Sequence, residues 1–165
     1  MPGTLGTLRE TFPQERRVAL IPRQCEALKK AGLDVIVEQS AGVTAGFPDE
    51  MYVARGARIG NREDVFREAD IIAQVRCLGA NPQAGRSDLP LLRPGQILIG
   101  FGEPLTALQE CSQLASAGVS LLALELIPRI TRAQSMDALS SMATIAGYRA
   151  VLRSEEHTSE LQSPC

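Results

Sequence analysis

The residues best suited to chemistry lie between Glu125 and Val151, in the run ELIPRITRAQSMDALSSMATIAGYRAV. Arg129, Arg132, Gln134, Ser135 and Asp137 gather there within nine positions. Arginine offers donors to a pyrophosphate or an amide oxygen. Glutamine presents a donor and an acceptor side by side, as a carboxamide does. Aspartate accepts from ribose hydroxyls or orders a nearby arginine. The same residues serve equally well in a solvated polar loop that caps a helix, with Ser135 as the cap. On the residue types alone, that second reading is the commoner one. A phosphate-cradling G-x-G-x-x-G run is absent: neither the pair Gly3 and Gly6 nor the pair Gly42 and Gly46 has its spacing.

Short apolar runs alternating with helical patterns must position this stretch. Strands are expected at Thr4 to Leu8, Val35 to Val37, Ile71 to Val75, Ile97 to Ile99 and Val119 to Leu124. Helices are expected at Pro22 to Ala31, Asp49 to Ala54, Arg62 to Glu68 and Thr106 to Ala117. Proline suits the first turn of the helix at Pro22, and Gly32 and Gly118 suit helix ends. Asn81 to Pro94, with three prolines, reads as an irregular crossover with a short helix. Strand–helix alternation of this kind predicts an α/β fold: a mainly parallel sheet with helices on both faces, flavodoxin-like or Rossmann-like. Met136 to Leu152 predicts a longer helix whose face is made of Met136, Leu139, Ala143, Ala146 and Ala150. That face is mostly small, so a partner could approach closely. The expected organisation is an N-terminal α/β domain over residues 1–134 and the start of a connecting helix over residues 135–152.

Composition narrows the function. The chain has 165 residues, 44% hydrophobic and 22% charged, which is ordinary for a globular domain. Aromatics are 4%, Trp is absent, and no Lys/Arg block stands out, so nucleic-acid binding is not expected. The most apolar stretch, Val119 to Pro128, is short and contains Glu125, so this segment is not expected to enter a membrane. Cys25, Cys77 and Cys111 lack metal-ligand spacing and read as reduced thiols, and no metal is expected.

The end of the chain has a different character. Arg153 to Ser163, RSEEHTSELQS, matches the translation of a common short-read sequencing adapter in one frame. Residues 153–165 are therefore expected to be non-native and to pack against nothing, and the natural protein to continue beyond Leu152. His157, the one histidine, falls in this tail, as does the whole formal charge of −2.

The run PRITRAQSMDALSS followed by AGYRAV resembles the signature loop of the NAD(H)-binding α subunit of the proton-translocating NAD(P) transhydrogenases, in the alanine dehydrogenase/transhydrogenase family. GTLRE at Gly6 to Glu10, ERRVAL at Glu15 to Leu20, VEQSAG at Val37 to Gly42 and ARGARI at Ala54 to Ile59 are similar to the same family. Thr7 and Leu8 depart from its opening turn. The resemblance implies that Arg129, Gln134, Asp137 and Ser140 reach the nicotinamide and its ribose, with Arg129 and Gln134 positioning the hydride transfer. It implies NAD(H) held in a cleft between this domain and a further Rossmann domain, and NADP(H) held by a partner component. It also implies a homodimer on the cytoplasmic face of the inner membrane, coupled to proton movement by a membrane component.

Two alternatives remain. In alanine dehydrogenases the arginine matching Arg17 and a lysine near Arg76 hold a pyruvate carboxylate, and a histidine moves the proton. Here Arg76 replaces the lysine, and Phe101 to Pro104 (FGEP) supplies no histidine. Reducing a ketone or imine needs a proton donor, whereas passing a hydride between nicotinamides needs alignment and dryness. Arg17 reads equally as a structural salt bridge or as a functional group. The other alternative is a non-catalytic nucleotide-sensing module that reuses the fold.

Overall fold

A computed structural model describes residues 3–161. The chain divides into two compact units, residues 1–123 and residues 124–165.

The first unit is built on six parallel strands: β1 (Thr4–Thr7), β2 (Asp34–Glu38), β3 (Arg58–Gly60), β4 (Ile71–Arg76), β5 (Ile97–Phe101) and β6 (Ser120–Ala123). Their order is β3-β2-β1-β4-β5-β6, the doubly wound Rossmann-like arrangement with its switch point between β1 and β4. The helices are α1 (Pro22–Lys30), α2 (Asp49–Val53), α3 (Arg62–Glu68) and α4 (Leu108–Ser116). The crossover after β4 is irregular, with a 3-10 segment at Gly85–Leu91 containing Pro90. β3 lies outside every predicted strand.

Side-chain alternation splits β2 between two cores. Ile36 joins Val65, Phe66, Ile72, Leu98 and Leu114, the cluster of α3 and α4. Val35 and Val37 join Leu5, Leu20, Cys25 and Tyr52, the cluster of α1 and α2. Helices therefore cover both faces, as the β–α alternation requires. Gly6 lets α3 settle on β1: a Cβ there would lie 2.6 Å from Val65 Cγ1 and 2.8 Å from Ala69 Cβ. At the start of α3, Asn61 Oδ1 accepts from the Asp64 backbone nitrogen at 2.8 Å. Asp64 Oδ2 returns the bond to the Asn61 nitrogen at 3.2 Å, a reciprocal cap.

The second unit opens with a 3-10 turn at Leu124–Leu126, continues through another at Thr131–Met136, and enters α5 (Ala138–Leu161). The helix thus begins two residues later than the sequence predicts and runs past Leu152. Met136 lies in the turn rather than on the helix. Gln162 to Cys165 of the expected non-native tail lie outside the described residues.

Candidate functional site

The loop of the second unit hangs on one buried residue. Ala133 is 4% exposed, while Arg129, Ile130, Thr131, Arg132, Gln134 and Ser135 are all exposed around it. Its turn is closed by backbone bonds: Ile130 nitrogen to Pro128 oxygen and Ala133 nitrogen to Ile130 oxygen, both 2.9 Å, and Asp137 nitrogen to Gln134 oxygen, 3.3 Å. With the small residue turned inward, the polar ones must face out.

Asp137, not Ser135, caps α5. Its Oδ1 accepts from the Ser140 backbone nitrogen at 3.0 Å and its Oδ2 from the Ser140 hydroxyl at 2.5 Å. The geometry is that of a residue three positions before the nitrogen it satisfies, which Ser135 cannot reach once the helix starts at Ala138. The Ser140 hydroxyl, the Ser140 backbone and, less strongly, the Arg129 charge hold the Asp137 carboxyl below its ordinary value of 3.8.

Arg129, Gln134, Asp137 and Ser140, the four residues singled out by resemblance, line one open concavity of about 270 Å³. Ile130 and Thr131 line it too. Sequence reasoning passed over both, because an isoleucine and a threonine between arginines carry no signature of their own. Arg132 and Ser135 are not in the lining. The concavity offers guanidinium and carboxamide donors, a carboxylate acceptor, hydroxyls and one apolar wall. That set can orient a flat amide-bearing ring and its sugar; it contains no histidine, cysteine or lysine to act on a substrate.

A second polar cluster sits at the switch point of the sheet. Glu10 accepts from the Val75 and Arg76 backbone nitrogens at 2.6 and 3.1 Å, where the β4–β5 register shifts. Burial pushes its carboxyl up from the ordinary value, against the pull of those two bonds. Glu15 takes Arg17 Nε at 2.7 Å and Nη2 at 2.5 Å, and Arg76 Nε at 3.2 Å. The Arg17 bond, above all, lowers the Glu15 carboxyl to about 2. The Arg76 guanidinium lies 4.2 Å from the Phe12 ring centroid. Arg17 therefore makes the structural ion pair, and it shares its carboxylate with Arg76. Glu10 and Glu15 figure in the sequence only within the family-similar runs GTLRE and ERRVAL, with no role attached, although the acid–base run ERR at Glu15 to Arg17 is a usable signal.

Among the described residues, Cys25, Cys77 and Cys111 form no disulfide. Among the described residues, no group of three His, Cys, Asp or Glu could hold a metal, and no helix is long and apolar enough to cross a membrane.

Residues 6–146 match the family model described as "Alanine dehydrogenase/PNT, N-terminal domain". This chain belongs to that family. Within the alanine dehydrogenase/PNT family, it is 42% identical over 149 residues to the NAD(P) transhydrogenase subunit alpha of Cereibacter sphaeroides, covering 90% of this chain and 27% of that protein. The transhydrogenase from Sinorhizobium meliloti superposes with a TM-score of 0.83 at 40% identity, over 91% of this chain and 43% of that one. An L-alanine dehydrogenase superposes with a TM-score of 0.68 at 28% identity, over 75% and 33%. The chain thus spans about a quarter to just over two fifths of the length of these relatives.

Proposed function

We propose that this segment supplies the nicotinamide-positioning half of an NAD(H) site in a proton-translocating NAD(P) transhydrogenase. The carrying observation is the convergence of Arg129, Gln134, Asp137 and Ser140 on one concavity, in a chain with 42% identity to a transhydrogenase α subunit. Bound NAD(H) supplies the hydride. The chain's own groups bind and orient: Arg129 and Gln134 bond the carboxamide, and Ser140 and Asp137 meet the ribose. A dinucleotide-binding domain elsewhere in the full protein holds the adenosine half. NADP(H) sits on a partner component, the soluble part is a homodimer at the cytoplasmic face of the inner membrane, and a membrane component couples transfer to proton movement.

The Arg17–Arg76 pair at the switch point favours one second reading, reduction of a 2-oxo acid in the manner of an alanine dehydrogenase. Both guanidiniums already bind Glu15, which weighs against a free carboxylate clamp.

The test is a chimera. Residues 1–152 replace the corresponding segment of the Cereibacter sphaeroides α subunit, assembled with its own partners. Retained hydride transfer from NADH to a spectroscopically distinct NADP⁺ analogue is expected. A folded chimera that instead consumes NADH with pyruvate and ammonia overturns the proposal in favour of the second reading.

A further inference from the structure

Five of the six side chains around the concavity carry polar groups; Ile130 is the exception. It is 57% exposed, which leaves a large branched hydrocarbon in water. Its backbone is fixed on both sides. The Ile130 nitrogen donates to Pro128 oxygen and its oxygen accepts from the Ala133 nitrogen, both at 2.9 Å. The residue is extended, with φ −118° and ψ 155°, immediately before the 3-10 turn. A β-branched side chain on such a backbone has few χ1 choices. The loop therefore holds an apolar surface in a defined direction while leaving it uncovered.

We infer that Ile130 is the apolar wall of the site, packing against a face of the reduced nicotinamide ring and keeping water from it. This rests on the proposed nicotinamide site and assigns within it the one contact that hydrogen bonds cannot make. The polar residues recognise the amide and sugar edges of the ligand. The ring itself presents two largely apolar faces, and a dihydropyridine ring carries no charge. Covering one face removes apolar area on both partners from water, which favours binding. It also leaves the ring's reactive carbon in a drier surrounding, where alignment is kept. Thr131, the next lining residue, carries both a methyl and a hydroxyl. On this account Ile130 is a positioning residue for the ring and touches neither the carboxamide nor the phosphate.

The test uses the 165-residue chain, with reduced nicotinamide mononucleotide as probe and ribose 5-phosphate as the ring-free control. Nuclear magnetic resonance follows the Ile130 methyls and the Gln134 and Ser140 amides during titration. The mononucleotide is expected to shift the Ile130 methyls, and ribose 5-phosphate to leave them unmoved. Ile130→Ser is expected to weaken mononucleotide binding roughly five- to tenfold, the effect of losing a contact of several tens of Å². It should leave ribose 5-phosphate binding unchanged, and Ile130→Val should restore most of the loss. Unmoved Ile130 methyls while Gln134 and Ser140 respond would overturn this inference and spare the nicotinamide site. Equal affinity of wild type and Ile130→Ser, with Arg129→Ala weakened, has the same meaning. A wild-type chain that answers the mononucleotide and ribose 5-phosphate identically overturns both.

Discussion

Asp137 spends both carboxylate oxygens on Ser140, so its first duty is to start α5. Arg129 lowers its carboxyl only as a lesser, electrostatic influence. Asp137→Asn is therefore expected to be mild in the chimera, because an asparagine caps as well as an aspartate. Arg129→Ala and Gln134→Asn have no such substitute. They are expected to slow hydride transfer on the order of a hundredfold, the effect of misplacing a reacting group by about 1 Å. NADH affinity should change far less if, as proposed, a separate dinucleotide-binding domain holds the adenosine half. Stopped-flow transfer rates and equilibrium binding on the same variants check this, and unchanged rates would reduce the loop to a helix start. The cap also carries a pH signature. A carboxyl held below its unfolded value of 3.8 contributes stability above that pH and loses it as pH falls through the lower folded value. The Ser140 amide should therefore lose exchange protection below pH 3.8, and in Asp137→Asn that dependence should vanish.

Most elements were legible because their signals are local. β-branched runs and helix periodicity located β2, α3 and β4 within a residue or so, and alternation along β2 divides the two cores as a doubly wound sheet demands. β3 was missed because three residues, Arg58–Gly60, are too few to show alternation and the strand sits at the edge of the sheet. The start of α5 was placed early because Ser135 and Asp137 are both capping types, and only the 3-10 turn at Thr131–Met136 decides between them. The Glu10 and Glu15 cluster was invisible for another reason: its partners Val75 and Arg76 lie some 60 residues away, linked only by the switch-point topology. Two element-scale consequences follow from packing and charge. Gly6→Ala drives a methyl into Val65 and Ala69 and should destabilise the first unit by about 1–3 kcal/mol in urea melts. Glu15 is stabilising while ionised, so stability should fall as pH drops from its unfolded value of 4.5 through about 2. Glu15→Gln should flatten that limb of the stability profile; a profile unchanged from wild type would show the ion pairs contribute nothing.

Both hydrophobic cores lie in the first unit, every core residue falling between Leu5 and Val119. In the second unit Ala133 is the buried residue of the loop, and Ile145, Tyr148 and Val151 are 70%, 69% and 61% exposed on α5. The first unit should thus unfold cooperatively when cut after Ala123, at nearly the urea midpoint of the whole chain. The same asymmetry governs ligand affinity. The chain lacks a G-x-G-x-x-G turn, and its concavity of about 270 Å³ suits a ring and a ribose rather than a dinucleotide. The loop that lines it is exposed, so apart from the ring face against Ile130 little ligand surface leaves water on binding. A hydrogen bond made at such a site exchanges with one to water and contributes only about 0.5–1.5 kcal/mol. NADH is therefore expected to bind this chain no more tightly than reduced nicotinamide mononucleotide does, and more weakly than about 1 µM, or about −8 kcal/mol. Fluorescence titration with both ligands measures the comparison directly. Micromolar NADH binding, or a clear advantage of NADH over the mononucleotide, would place adenosine contacts on this chain and contradict the division of the site between two domains.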